Sequence, residues 1–413
     1  MRFQAVIGIF VFLGIAWVLS EKKRQVKISS IVTGVVVQFA VAGLLLYVPA
    51  FKKFFLLLNS LVLALEAATK DGTAFVFGYI GGGTPPFMLT DPGSNFVLAF
   101  QALPLVLVIG ALSALLFHWK ILSYIVKGLS YVLQKTLKVG GALGLGASTT
   151  IFLGIVEAPL VVKPYLKKMT RSELFSLMTV GRACIAGTVM LLYATILASV
   201  IPDALGHILV ASFIHVAAAL TIARIMVPQA GEETAGSLIP QRTATSSMDA
   251  VVQGTMDGMK LLLNIIAMLV VMVALVHIAN ALIGMLPNVG GQPLTLQRVL
   301  GFVMAPLVWL FGIPWAQAQT GGFLMGTKTI LNELLAFISM SQLPQGALDP
   351  RSRLIMVYAL TSFANFGSLG ILIGGLGSLE PERRDEVVAL GMKALVGGTL
   401  ATCMTGAVIG ILL

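Results

Sequence analysis

The chain is written mostly in long apolar runs separated by short polar or basic punctuation. A helix that crosses the hydrocarbon of a bilayer needs about 20 apolar residues. Runs of that kind lie at 3–20, 28–50, 99–119, 173–200, 207–228, 258–286, 353–377 and 387–412. They predict an all-α polytopic membrane protein of eight spans with both termini outside. The first run is too long for a signal-peptide core, lacks a small-residue cleavage site and leads straight into "EKKRQVK", so it is expected to stay as a transmembrane helix. Between the second and third runs, "FFLLLNSLVLALEAATK" keeps a helical period but carries Asn59 and Glu66, which suits an interfacial helix. The "GGGTPP" beyond it lacks the Lys-Ser/Thr of a phosphate loop and is expected to be a turn.

Two apolar stretches do not fit a simple span. Residues 139–166, with "GGALGLGASTTIFLGIVEAP", and 298–338, with "FGIPWAQAQTGGFLMGTKTILNELLAF", are each broken near the middle by Gly, Pro and small polar residues. Irregular backbone at membrane depth persists only where protein or a watery cavity surrounds it, so both are expected to be re-entrant hairpins. The order of parts then repeats. Each hairpin holds one acid, Glu157 or Glu333, and precedes a span with a polar motif, "GRACIAG" at 181–187 or "SFANFGS" at 362–368. With the first hairpin opening from inside and the second from outside, this is an inverted repeat, an arrangement that puts a binding site near the midplane. The expected division is 1–98 as scaffold helices with the interfacial helix, 99–228 as the first repeat, 229–257 as a cytoplasmic linker and 258–413 as the second repeat.

Composition agrees. Some 57% of the 413 residues are hydrophobic and 11% charged, against roughly 25% charged in soluble domains. The net charge of +10 is read as topology and not as affinity for nucleic acid, because the greater share of Lys and Arg falls on the loops assigned to the cytoplasm. The two cysteines, Cys184 and Cys403, lie in apolar segments and imply no disulfide. The four histidines are scattered, with no HExxH and no nucleophile elbow, so no enzyme is predicted.

The candidate chemistry sits in the broken segments. A carboxylate at the bilayer centre costs ~3 kcal/mol on insertion scales, so Glu157, beside the helix-breaking Pro159, and Glu333 are expected to face a cavity. Asn365 and Ser368 offer a donor, an acceptor and a hydroxyl, a set suited to the vicinal hydroxyls of a sugar, with Phe363 placed to lie against a flat ring. Arg182 lies about 15 Å up its span, too deep to reach the interface, and Glu157 or Glu333 is its expected partner.

Together "GIVEAPLVVKPYL", "MTVGRACIAGTVMLLY", "GTKTILNELLAF", "TSFANFGSLGI" and "GGLGSLEPERRDEVVALGMKAL" resemble the concentrative nucleoside transporter family. "GTAFVFG" and "GMKLLLNIIAML" extend the resemblance over nearly the whole chain. It implies eight spans, two re-entrant hairpins, a homotrimer in the inner (plasma) membrane and an elevator-like movement. It also implies nucleoside uptake driven by sodium or protons, without a cofactor. Carried over by residue, Glu333, Asn365 and Ser368 would hold the ribose. Phe363 and Val189 would line the pocket, and Glu157 would stand on the base side. Two departures stand out. The family's Gln-Thr before the first acid is here Ile155-Val156, which leaves base preference open. The sodium ligands of the family are here Thr150 and Cys184, with Leu153 and Ile185 at the carbonyl positions. Sulfur is a soft ligand and sodium a hard cation, and Arg182 stands two residues from Cys184. Proton coupling is therefore expected ahead of sodium coupling, with a sodium symporter as the alternative and a gated pore or receptor as the reading from another class.

Overall fold

A computed structural model describes residues 1–88, 96–155, 157–236, 244–289, 291 and 293–413. The side chains of 52–59, 61, 62 and 157 also lie outside the description. All regular structure in it is helical. The first three helices are α1 (Arg2–Val18), α2 (Ile28–Tyr47) and α3 (Pro49–Phe77). The expected interfacial helix is thus part of a 29-residue α3 that begins directly after α2, with Pro49 at its first turn.

Two similar series follow. The first runs α4 (Leu98–Gln101), α5 (Leu105–His118), α6 (Ile121–Leu137), α7 (Gly141–Thr150), α8 (Glu157–Val161), α9 (Lys163–Leu166), α10 (Arg171–Ala183), α11 (Gly187–Leu197) and α12 (Ala204–Met226). The second runs α13 (Ser247–Ile283), α14 (Leu296–Trp309), α15 (Trp315–Ile330), α16 (Glu333–Ser341), α17 (Pro350–Leu360), α18 (Phe366–Leu379) and α19 (Arg384–Leu412). Each series is a long helix, an amphipathic or shorter helix, a helical hairpin, a split helix and a long buried helix.

Among the described residues six helices are long and apolar enough to cross a membrane, while α1, α14 and α18 are shorter apolar helices. The structure departs from the sequence expectation in three places. Segment 120–138, between the third apolar run and the first hairpin, is the amphipathic α6. Segment 298–338 is three helices. Its "FGIPW" is the corner between α14 and α15, which lie antiparallel, and the hairpin turn falls at Leu331–Asn332. The runs 173–200 and 353–377 are each split, at Cys184–Ala186 and at Thr361–Asn365.

Packing separates a buried centre from a half-buried α5 and a more exposed α13. Helices α10 and α12 are almost wholly buried and α17 and α19 largely so, whereas α13 shows about half of its residues to the surroundings. It packs along α5 through Gly110, Gly254 and Gly258: a Cβ on Gly254 would lie 2.5 Å from the Gly110 carbonyl oxygen. Small residues allow such backbone approach in membranes, where dispersion and not the hydrophobic effect joins helices.

At the Lys/Arg-rich end, Glu21 in the α1–α2 connection accepts from Arg171 Nε at 3.1 Å and Nη2 at 2.9 Å, and from Lys393 Nζ at 3.0 Å. These partners, Arg171 first, hold its carboxyl down at about 2 against partial burial. A depressed carboxyl stabilises the fold above its unfolded value, and the contribution is lost as pH falls toward the folded value. Screening keeps it small. Glu21→Gln is therefore expected to lower the thermal midpoint by a few degrees at pH 6. That deficit should shrink below about pH 4.5 and vanish near pH 2, as read in denaturation curves across pH.

Candidate substrate and coupling site

The two splits meet at the centre of the molecule. Phe363 N donates to the Cys184 carbonyl at 3.2 Å, and Gly187 N donates to the Phe152 carbonyl at 3.2 Å. The first bond joins split to split, and the second seats the turn of the first hairpin against the α10–α11 split. Each split frees backbone groups that a continuous helix would consume, and these bonds take up part of them.

Helix starts fix the polar side chains. Asn332 caps α16 by accepting from Leu335 N at 2.9 Å, which places Glu333 at the first position. Asn365 caps α18, its Oδ1 accepting from Ser368 N at 2.8 Å. Asn is a preferred N-cap, so the second hairpin turn and the second split are written in ordinary capping chemistry, whereas α11 starts after Ala186 without a side-chain cap. Asn365 keeps its amide nitrogen free of the cap and donates it to Glu333 Oε2 at 2.9 Å. Tyr193 donates its hydroxyl to Glu333 Oε1 at 2.6 Å, and its ring stands 5.3 Å from that of Phe337. Both carboxylate oxygens of Glu333, a buried residue, are thereby oriented, each with lone-pair capacity to spare.

Arg182, in the last turn of α10, is completely buried. Its Nη1 donates to the Phe363 carbonyl at 3.3 Å and to the Ser368 hydroxyl. Of the two acids expected as its partner, Glu333 is turned to Tyr193 and Asn365, and the Glu157 side chain lies outside the described residues; among the described residues the acceptors of Arg182 are a carbonyl and a hydroxyl. Helix α19 passes close by, since a Cβ on Gly398 would stand 2.5 Å from Arg182 Cβ. Ser368 also gives its hydroxyl to the Phe363 carbonyl and approaches the Asn365 carbonyl at 3.1 Å.

One constellation thus gathers Arg182, Tyr193, Glu333, Phe363, Asn365 and Ser368. Val189, buried in the first turn of α11, shares a face with Tyr193 four residues on. Ile155 is buried against α10, near Gly181, and Val156 lies outside the described residues. The coupling candidates are placed differently. Thr150 donates its hydroxyl to the Gly146 carbonyl of its own helix at 2.8 Å, and Leu153 is half-buried in the turn beyond. Cys184 points its sulfur at the Ser212 carbonyl on α12, 3.7 Å away, and Ile185 is buried beside it in the split.

Two residues escaped the sequence reading. Tyr193 was legible in principle, because a Tyr in an apolar run needs a partner for its hydroxyl. Lys328 is fully buried on α15, donating to the Ala359 carbonyl at 2.9 Å and to Thr402 Oγ1 at 3.3 Å. Its depth matches that of Arg182 and marked it in the same way.

Family models match almost the entire chain. The "Na+ dependent nucleoside transporter N-terminus" covers residues 7–80, "Nucleoside recognition" covers 99–200 and the "Na+ dependent nucleoside transporter C-terminus" covers 207–410. A transporter of Haemophilus influenzae is 36% identical over 99% of this chain and 97% of its own. The nucleoside permease NupC of Helicobacter pylori is 34% identical over 98% of this chain and 97% of its own. The sodium/nucleoside cotransporter 2 of Rattus norvegicus is 28% identical over 98% of this chain and 62% of its own. Among solved structures, CNTnw in an inward-facing, substrate-bound state superposes with a TM-score of 0.89 at 32% identity, over 99% of this chain and 98% of that one. A variant of CNTnw in an outward-facing state gives a TM-score of 0.90 at 31% identity over 99% and 97%. These relatives are permeases and transporters and not enzymes. With its all-helical fold and apolar helices, this chain belongs to the concentrative nucleoside transporter family as a multi-pass protein of the plasma membrane.

Proposed function

We propose that the protein imports nucleosides by cation symport, with protons as the coupling ion, through elevator-type alternating access of a homotrimer. The observation that carries the substrate reading is the Glu333 carboxylate, fixed by Tyr193 and Asn365 beside the Ser368 hydroxyl. An anionic acceptor with both oxygens oriented, flanked by an amide and a hydroxyl, suits a ribose diol, each of whose hydroxyls can donate to it. Phe363 and Val189 supply apolar walls, with Ile155, Val156 and Glu157 on the base side. The matching order of the two helix series supports an inverted repeat with re-entrant hairpins. The α5–α13 pair, with its exposed α13, against the buried centre supports a fixed scaffold and a moving body.

Coupling is read from three side chains. The Thr150 hydroxyl is engaged within α7, the Cys184 sulfur faces α12, and the Arg182 guanidinium reaches the split where Ser368 stands. A soft sulfur in place of an oxygen disfavours sodium, and a tethered cation supplies positive charge there permanently. Glu333 or Glu157 would then carry the proton.

The recognition half of this reading is tested by calorimetric titration of the purified protein. Uridine is expected to bind at least tenfold more tightly than 3′-deoxyuridine, because a site built to hydrogen-bond a hydroxyl rejects the analogue lacking it. Uracil alone should give no measurable heat. Equal affinity for uridine and uracil would remove the ribose from the site.

A further inference from the structure

A second cavity of about 400 Å³ lies away from the nucleoside site, at the Lys/Arg-rich end of the bundle, between the start of α2, the end of α6 and the end of α12. Its walls carry Lys27, Lys138, Arg224 and Glu233. Arg224 is already used: it donates to the Leu137 and Lys138 carbonyls at 2.7 and 2.8 Å and pairs with Glu233 at 2.5 Å. Lys27 and Lys138 form no ion pair among the described residues, so the cavity keeps two uncompensated positive charges. Gln229 adds a donor. Its Oε1 accepts from Thr170 at 3.1 Å, while its amide nitrogen is buried in the cavity wall without a hydrogen-bond partner among the described residues.

The start of α2 contributes to the same space. Lys27 is its N-cap and gives no side-chain cap, and Ser29 and Ser30 of the first turn line the cavity. The first amides of a helix are orphan donors at the positive end of its dipole. Two ammonium groups without an ion pair, an unpaired amide, two hydroxyls and the start of a helix line one volume, with Glu233 as the single acid of the wall, paired with Arg224. That set recognises a phosphate.

The source of the phosphate follows from what surrounds the cavity. Ile28, Val32 and Val36 form an exposed apolar stripe on α2 that starts at the cavity and runs up the span. Lys22, Lys23 and Arg24 stand just before it, and Trp17 is exposed under the Lys23 ammonium. Basic residues at such an end, next to an apolar surface, favour anionic lipids. We propose that this cavity seats the phosphate of an anionic phospholipid headgroup, whose acyl chains lie along the α2 stripe.

The test is thermal denaturation of the purified full-length protein in neutral detergent, titrated separately with phosphatidylglycerol, phosphatidylcholine and inorganic phosphate. Phosphatidylglycerol is expected to raise the midpoint by several degrees, and the other two are not. Lys27→Gln combined with Lys138→Gln should weaken the phosphatidylglycerol effect about tenfold or more in concentration. Lys22→Gln with Lys23→Gln, outside the cavity, should weaken it less than the cavity pair does. Uridine uptake by the cavity variant in neutral-lipid vesicles should match wild type, which shows that it is folded. Equal protection by both lipids, or an unchanged response in the cavity variant, would overturn the proposal. Equal protection by inorganic phosphate would overturn the lipid assignment.

Discussion

Glu333→Gln is expected to weaken uridine binding about a hundredfold and to abolish saturable uptake, while the protein remains folded. The substitution keeps shape and volume, so the start of α16 and its Asn332 cap are untouched. A glutamine also satisfies its neighbours if its oxygen faces Asn365 Nδ2 and its NH2 faces the Tyr193 hydroxyl, which reverses from donor to acceptor. What disappears is the charge. Hydrogen bonds to an ionised acceptor are worth roughly 1.5–3 kcal/mol and neutral ones about 0.5–1.5. Two ribose hydroxyls would together lose about 2–3 kcal/mol, or roughly a hundredfold at 1.4 kcal/mol per decade. Calorimetric titration beside a thermal melt separates the two effects. A variant that binds uridine within threefold of wild type would take Glu333 out of the ribose site.

Arg182→Met is expected to cut proton-driven accumulation of uridine at least tenfold while leaving folded protein that still exchanges internal for external uridine. Methionine fills much of the apolar stem of arginine and carries no charge, so the contact of α10 with α19 at Gly398 survives. The Phe363 carbonyl loses one donor but keeps the Ser368 hydroxyl, which limits the loss of stability to about 1–3 kcal/mol. The fixed positive charge beside the split is what goes. If that charge stands where a coupling sodium would otherwise bind, its removal uncouples transport from the proton gradient without preventing substrate exchange. Unchanged accumulation and unchanged stability would reduce Arg182 to a packing residue.

The fold was legible wherever apolar length or capping chemistry spoke for itself. Runs of about 20 apolar residues became helices, and the polar motifs at 181–187 and 362–368 lie at the centre. The breaks inside those motifs were not foreseen, because hydropathy does not distinguish a continuous helix from one that stops at Cys184 and restarts at Gly187. Asn365, of a residue type preferred at N-caps, was the available signal for the second break. Asn332 shows the same point: the hairpin turn at Leu331–Asn332 has neither Gly nor Pro, so breaks sought at Gly, Pro and small polar residues near the middle of 298–338 do not find it. Helix α6 is too rich in lysine to stand out as an apolar run, although Val126, Ser130 and Leu137 are buried on one side.

The site residues were legible as types, but their pairing was not. Depth marked Arg182 as needing an acceptor, and an acid is the strongest one. Among the described residues its acceptors are a carbonyl released by the α17–α18 split and a hydroxyl at the start of α18. A backbone acceptor of that kind appears only once the helix is known to be broken.

The most direct test of the account is radiolabelled uridine uptake into proteoliposomes under an inward proton gradient or an inward sodium gradient, each imposed alone. The account predicts accumulation above equilibrium with protons and none with sodium. Accumulation with sodium alone would contradict it and would assign the ion to Thr150 with the carbonyls of Leu153 and Ile185. Flux to equilibrium under both gradients, without accumulation, would replace symport by a gated pore.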